Sequence, residues 1–470
     1  MKFLEAIRNI FRIPDLRNRV LFTLLMLAVY RLGAHIPTPG INAEALEAIF
    51  NQYAGTWLGL VDIFSGGNFR QMSIFALGIM PYITASIILQ LMAVVWPYLE
   101  RLQKEGELGR RKITQYTRYL TVVLSAFQAL MIALTLQRTT VVGQAALVNN
   151  PGLGFVLMTV LTLTTGTIFI MWVGEQISDR GIGNGMSLLI FAGIVVGLPR
   201  AIYDTYTTRY LTGEWGVLEL GALALMMLFV VTVIVFVETG QRRIPVQYAK
   251  RVVGRRMMGG AMTYLPIRVN AGGVIPVIFA SSILTFPQTV AAAIPREWWV
   301  YPYVQQVSQT LGWGEPLYTL LYIVGIVFFS YFYVSIIFNP DEVADNMRKW
   351  GGFIPGIRPG RNTSEYLNTV LTRLTFVGGV YLALISIIPE WMISGIRLHH
   401  LPWWLGGAFI DTHFPRWILE GLGVNFYFGG TSLLIVVGVA MDTVNQVEAQ
   451  LTMRHYEGFT THGRIRGRRG

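Results

Sequence analysis

The sequence predicts an all-α polytopic membrane protein with ten transmembrane helices. Three observations predict it. Apolar residues make up 53% of the 470 positions and charged residues 13%, against about 25% charged residues in a soluble domain. Ten stretches are apolar enough to fill a bilayer core or nearly so. Lysine and arginine gather in alternate connections between those stretches.

The first span is read at Val20–Ile36, behind an amphipathic basic N-tail, residues 1–19, that lacks a small-residue cleavage site and is expected to be retained. Further spans are read at Ser73–Trp96, Tyr119–Leu136 and Phe155–Val173, then at Val217–Val237, Gly273–Ala293, Leu317–Phe338, Leu374–Ile393 and Thr431–Val447. Met186–Leu198 is short for a crossing, and hydropathy alone leaves it open as a core or re-entrant segment.

Charge decides its status. The N-tail carries Lys2, Arg8, Arg12, Arg17 and Arg19, and the loop after the second span carries Arg101, Lys104, Arg110, Arg111, Lys112 and Arg118. Seven basic residues lie in the loop after the sixth span, from Arg242 to Arg268, and Arg348, Lys349, Arg358 and Arg361 follow the eighth. The tail has Arg454, Arg464, Arg466, Arg468 and Arg469, whereas the intervening loops hold little beyond Arg70, Arg138 and Arg296. The basic loops at 98–118 and 239–269 share the cytoplasmic side only if an even number of spans separates them, so Met186–Leu198 must cross. Both termini are then cytoplasmic, and the net charge of +11 is mostly topological.

The 239–269 loop exceeds what orientation requires. It alternates basic with β-branched and aromatic residues, and its halves predict a β-hairpin around Val253-Gly254. A basic, ordered projection suits a large acidic partner such as ribosomal RNA or an acidic motor surface, with anionic lipid headgroups as the plainer reading.

Enzyme chemistry finds no support. The sequence has no cysteine, which removes disulfides, thiolate metal sites and cysteine nucleophiles. No phosphate-binding loop, zinc-protease motif or nucleophile elbow is present, so catalytic residues, metals and cofactors are all expected to be none. An ion-coupled secondary transporter, the alternative from another class, needs ionisable groups near mid-span. Here Arg31, His35, Glu175, Asp179, Glu238 and Asp442 sit toward span ends.

Seven segments in order carry a family resemblance. They are SGGNFRQMSIFALGIMPYITASIILQL at Ser65–Leu91, KEGELGRRKITQYTRY at Lys104–Tyr119, and GEQISDRGIGNGMSLLIFA at Gly174–Ala192. Next come GQRRIPVQYAKRVVGRR at Gly240–Arg256, GVIPVIFASSILTFP at Gly273–Pro287, NPDEVADN with FIPGIRPG inside Asn339–Gly360, and FYFGGTSLLIV at Phe426–Val436. Over nearly all of Arg12–Gly458 the chain resembles the bacterial SecY branch of the SecY/SEC61-alpha family, the channel subunits of protein translocases.

The resemblance implies two pseudo-symmetric inverted halves, a clamshell around a central pore. The halves would be 20–198 and 217–447, joined by an external hinge at 199–216, with cytoplasmic loops at 239–269 and 339–370 and a basic tail at 448–470. It implies passage of unfolded secretory polypeptides and lateral release of membrane segments.

Residue by residue, the resemblance carries an apolar pore ring onto Ile83, Ile87, Met186, Ile190, Ile278 and Ile435, with Met186 standing where isoleucine is commoner. A plug falls at Thr56–Gln71, with Leu58, Leu60, Val61, Ile63 and Phe64 as its apolar side and Ser65-Gly66-Gly67 as an exit expected to be flexible. Lateral-gate candidates are Gln90, Gln128, Ser281 and Ser282. Motor and ribosome docking is expected at Arg242, Arg243, Arg255, Arg256 and Arg358. The implied partners are SecE and SecG subunits, the SecA motor ATPase, the ribosome, signal peptides and preproteins, and anionic lipids, with SecD/SecF and YidC as further candidates. The implied location is the bacterial plasma membrane. The tryptophan-bearing stretch Ser394–Asn425 is longer than the usual bacterial loop.

Overall fold

The structure is a computed structural model that describes residues 13–42, 46, 65–138, 147–211, 215–248, 251–253, 256–258, 262–294, 298–312, 314–395 and 430–461. The expected plug residues Leu58, Leu60, Val61, Ile63 and Phe64, residue Arg255, the first twelve positions and nearly all of the 394–425 stretch lie outside them.

Each predicted span is a helix. They are α1 (Pro14–Gly33), α2 (Met80–Val95), α4 (Glu107–Arg138), α5 (Leu153–Arg180), α6 (Gly185–Thr205), α7 (Val217–Thr239), α8 (Ile275–Ala293), α10 (Pro316–Ile337), α12 (Arg361–Ser394) and α13 (Gly430–Thr461). Shorter helices α3 (Pro97–Lys104), α9 (Tyr301–Thr310) and α11 (Pro340–Lys349) lie in the connections. Among the described residues, α4, α5, α7, α10, α12 and α13 are long and apolar enough to cross a membrane alone, and α2 with α3, bent by 101°, makes a seventh candidate. Of the other three, α1 holds Arg17, Arg19 and Arg31, α8 is interrupted by Pro287, and α6 contains Pro199.

Two predicted boundaries shift. The α6 helix continues past Pro199 to Thr205, 21 residues or about 31 Å, although its apolar part, Gly185–Pro199, stays shorter than the six clear spans. The second span starts at Met80, not Ser73. Before it, Ser73 bridges Pro37 and residues 74–79 form turns: Ile74 N–H donates to Ile36 O at 2.9 Å, next to the bond from Thr38 N–H to Met72 O at 2.8 Å. Pro81, which has no N–H to offer, then opens α2 at the position where a helix tolerates it.

The 239–269 loop is the predicted hairpin. Strand β1 (Gln241–Tyr248) pairs antiparallel with β4 (Met262–Arg268), from Gln241 opposite Arg268 to Gln247 opposite Met262. Beyond them β2 (Arg251–Val253) pairs with β3 (Arg256–Met258) in the same register, Val253 opposite Arg256. A short β5 (Gly352–Phe353) adds to β1 only at Gln247 and Tyr248, which leaves β1 an open edge where Pro245 stands.

By packing, the chain forms two compact units: one of Met1–Arg200, Thr289–Trp298 and Ile435–Gly470, the other of Ala201–Gln288 and Trp299–Leu434. The unit boundary at 200/201 falls inside the connection predicted as a hinge, while most of α13 packs with the first unit. In the first unit Phe69, Met72, Ala76 and Leu77 share a core with Ala129 of α4 and Leu163 of α5. In the second, Ile244 and Ile267 of the hairpin, Ile354, and Leu367, Val370 and Leu371 of α12 form another. The two basic loops thus fold as one small domain on the base of α12.

Candidate functional site

The expected ring residues occupy four helices. Ile83 and Ile87 stack one turn apart on α2, 9% and 2% exposed. Met186, half-buried, and Ile190 repeat that spacing on α6. Ile435 on α13 is buried, and these five belong to the first unit. Ile278 on α8, also buried, belongs to the second.

The turn that sets Met186 in place is built from three helices. Ile182 N–H donates to Thr23 Oγ1 of α1 at 3.1 Å, Gly183 N–H to Gln446 Oε1 of α13 at 2.9 Å, and Gly185 N–H to Ser178 Oγ of α5 at 2.9 Å. Asn184 Oδ1 accepts from Met186 N–H at 3.1 Å. The two helices joined here nearly touch: a Cβ on Gly185 would lie 1.9 Å from the Gly174 carbonyl oxygen. Met186 Sδ in turn fills the space a Cβ on Gly174 would need, 2.5 Å away.

The residues that follow the apolar side of the expected plug are hydrogen-bonded to α1. Ser65 and Asn68 are buried. Tyr30 of α1 donates to the Ser65 carbonyl at 3.1 Å and accepts from Asn68 Nδ2 at 3.0 Å. Arg31 Nη1 reaches the Gly66 carbonyl at 3.3 Å. Gly66 and Gly67 have φ of 74° and 80°, a region glycine enters without strain. Gly66 also abuts α6, since a Cβ there would be 2.5 Å from Gly193 Cα.

Among the described residues, the hydrogen bonds given by Gln90 and Ser281 stay within their own helices. Gln90 Nε2 donates to Ser86 Oγ at 3.2 Å, while Gln90 Oε1 is buried with no partner among the described residues. Ser281 Oγ donates to the Ile278 carbonyl at 3.0 Å, and Ser282 Oγ is buried with no partner among the described residues. Gln128 is half-buried on α4.

On the basic loops, Arg242, Arg243 and Arg358 are exposed, and the Arg256 backbone forms part of β3. Arg358 sits on a hydrogen-bonded turn. Ile354 is buried beneath it, Ile357 N–H donates to Ile354 O at 3.1 Å, and Gly356 and Gly360 have φ of 83° and 103°. Thr363 Oγ1, in the first turn of α12, donates to the Arg358 carbonyl at 2.9 Å. Asp341 on α11 accepts from Ser364 Oγ and so ties the two helices that flank the turn. Sequence reasoning missed Tyr30, Asn68, Thr363 and Gln446; the one local signal was a threonine three positions after the glycine that starts a helix.

The family description SecY matches residues 73–444. The protein translocase subunit SecY of Streptomyces galbus is 47% identical over 464 residues, covering 97% of this chain and 99% of that one. The chain belongs to the SecY family. It is a protein-conducting translocation channel subunit, not an enzyme, and a multi-pass membrane protein. The SecY fold implies ten spans, of which six or seven are clear apolar helices among the described residues. One solved SecY structure, described as having a plug domain that stabilizes the closed state of the channel and maintains a membrane seal, superposes with a TM-score of 0.60 at 17% identity over 92% of each chain. Sec61 in a canine ribosome-channel complex superposes at 0.56, with 16% identity over 92% of each chain. The SecY assignment displaces the ion-coupled transporter, and among the described residues no group of three or more His, Cys, Asp or Glu is placed to hold a metal.

Proposed function

We propose that this channel passes unfolded secretory polypeptides across the bacterial plasma membrane through a waist formed by Ile83, Ile87, Met186, Ile190, Ile278 and Ile435, with residues 56–71 as plug. The supporting observation is chemical: all six positions are apolar, and five are less than 10% exposed. An ion entering such a waist sheds water and meets no fixed charge in return, whereas a polypeptide slides past groups that hold it weakly. Gln90, Gln128, Ser281 and Ser282 serve the lateral release of apolar segments, where hydrogen bonds worth about 0.6 kcal/mol each can yield to an arriving helix.

Both termini face the cytoplasm, as the distribution of lysine and arginine requires. The exposed Arg242, Arg243 and Arg358, with Arg255 and Arg256, dock an acidic motor surface and ribosomal RNA. A ribosome-bound relative supports that reading. Companion subunits of the SecE and SecG type complete the translocase. Conductance in planar bilayers tests the waist. Ile83→Asn and Ile278→Asn should each raise resting ion current, and two channels as silent as the parent would remove these residues from the path.

A further inference from the structure

Between α8 and α10 the chain carries no charged residue from Trp298 to Gly314. Helix α9 lies within that stretch, and none of its residues is buried. A helix so short is marginal in water, and without charges it has no ion pair along its surface to support it. Its side chains sort around the axis into strips. Tyr301, Val304, Gln305 and Ser308 are half-buried, and Gln306 and Gln309 are exposed. Tyr303 and Val307, one turn apart, are 66% and 55% exposed. Trp299, four positions before Tyr303, extends that apolar strip and is 82% exposed. The far end of α9 is tied down. Gln288, buried on α8, donates through its side-chain amide to the Leu311 carbonyl. Gln288 precedes the last residue of α8, Ala293, by more than a turn, about 7 Å along the axis. The end of α9 therefore lies level with a point inside α8, not beyond it.

We propose that α9 is an interfacial anchor: the strip of Trp299, Tyr303 and Val307 rests in the headgroup–acyl boundary of the bilayer, on the face opposite the basic hairpin. The hairpin precedes α8 and α9 follows it, so a crossing by α8 puts the two on opposite faces, whichever face is cytoplasmic. Tryptophan and tyrosine favour this boundary, and a helix lying in its plane sinks about 5–10 Å, which matches the level of Leu311 beside α8. Exposed apolar residues resume at Leu317, Leu320 and Val324 on α10, so the strip leads along the chain into the surface of a membrane span. Because α9 has no charge, the attraction is to the interface itself and not to anionic headgroups. Through Gln288 the anchor holds the hairpin-distal end of α8, the helix that carries Ile278.

The experiment uses the full-length protein, purified with its companion subunits and reconstituted into vesicles of phosphatidylcholine, with or without phosphatidylglycerol. The sequence has no cysteine, so a nitroxide is placed singly at Tyr303, Val307 or Gln309. Its relaxation is measured with oxygen, which concentrates in lipid, and with a water-soluble nickel chelate. The expected result is oxygen-dominated relaxation at Tyr303 and Val307 and nickel-dominated relaxation at Gln309, alike in both vesicles. Hydrogen exchange on the unlabelled protein gives a second reading. The α9 amides should be protected in vesicles, and Tyr303→Ser combined with Val307→Ser should speed their exchange at least about tenfold, since less apolar area then leaves water. Nickel-dominated relaxation at all three positions, or an exchange rate that the double variant leaves unchanged, overturns the proposal. So does protection of Tyr303 and Val307 from both reagents, which would mean that protein and not lipid covers them. Oxygen contact that requires phosphatidylglycerol would assign an anionic-headgroup site instead and overturn it too.

Discussion

Gln446, near the end of the chain, accepts a hydrogen bond at 2.9 Å from the backbone N–H of Gly183, 263 positions earlier. The last helix thereby helps hold the turn from which Met186 and Ile190 project. Gln446→Leu removes the acceptor, and stability should fall by about 1–2 kcal/mol. Gln446→Glu keeps an acceptor at the same reach and should lose much less. Thermal unfolding of both variants in detergent checks the pair; equal losses would mean that packing, not the bond, matters there.

Gly185 and Gly174 let α5 and α6 meet backbone to backbone. A methyl on Gly185 would overlap the Gly174 carbonyl, a rigid group that cannot turn aside. Gly185→Ala should cost about 1–3 kcal/mol, the range of an overpacked core, and should change the resting conductance because Met186 moves with the turn. Parent-like unfolding and conductance would show that the helices part without cost.

Much of the fold was legible in the sequence, and the misses share a cause. Hydropathy located ten helices, and the alternation in 239–269 located a hairpin whose tip pair is Val253 and Arg256. Hydropathy also extended the second span back to Ser73, because it registers Ile74, Phe75 and Leu77 as apolar but not that Ile74 N–H is already bonded to Ile36. Ser65-Gly66-Gly67 read as loose from composition. In the structure Gly66 lacks a side chain so that Gly193 can approach, a tertiary use of glycine that no local pattern reveals. The ring positions came from family motifs; periodicity alone gives Ile83 and Ile87 as ordinary packing residues.

Thr363 tests how Arg358 is presented. Its buried hydroxyl holds the Arg358 carbonyl. Thr363→Val should lower motor-driven transport roughly fivefold, the population effect of one hydrogen bond, with insertion unchanged. Thr363→Ser should restore it, and Arg358→Glu should abolish it. Preprotein import into inverted vesicles measures all three. Full transport by Arg358→Glu would take that arginine out of the docking site.

Topology is checked with reporter fusions after Arg296 and after Arg358. The charge distribution requires them on opposite sides of the membrane, the second cytoplasmic. Reporters on the same side would overturn the ten-span map.

The most direct test of the account exploits the absence of cysteine from the sequence. Single cysteines are placed at Ile87, Ile190, Ile278 and Ile435, and as a control at Leu228, which is 65% exposed on α7. A preprotein with one cysteine is arrested midway through the membrane and oxidised. The account predicts disulfide cross-links from the four waist positions and none from Leu228. Cross-links from Leu228 with none from the waist would place the polypeptide path elsewhere and contradict the account.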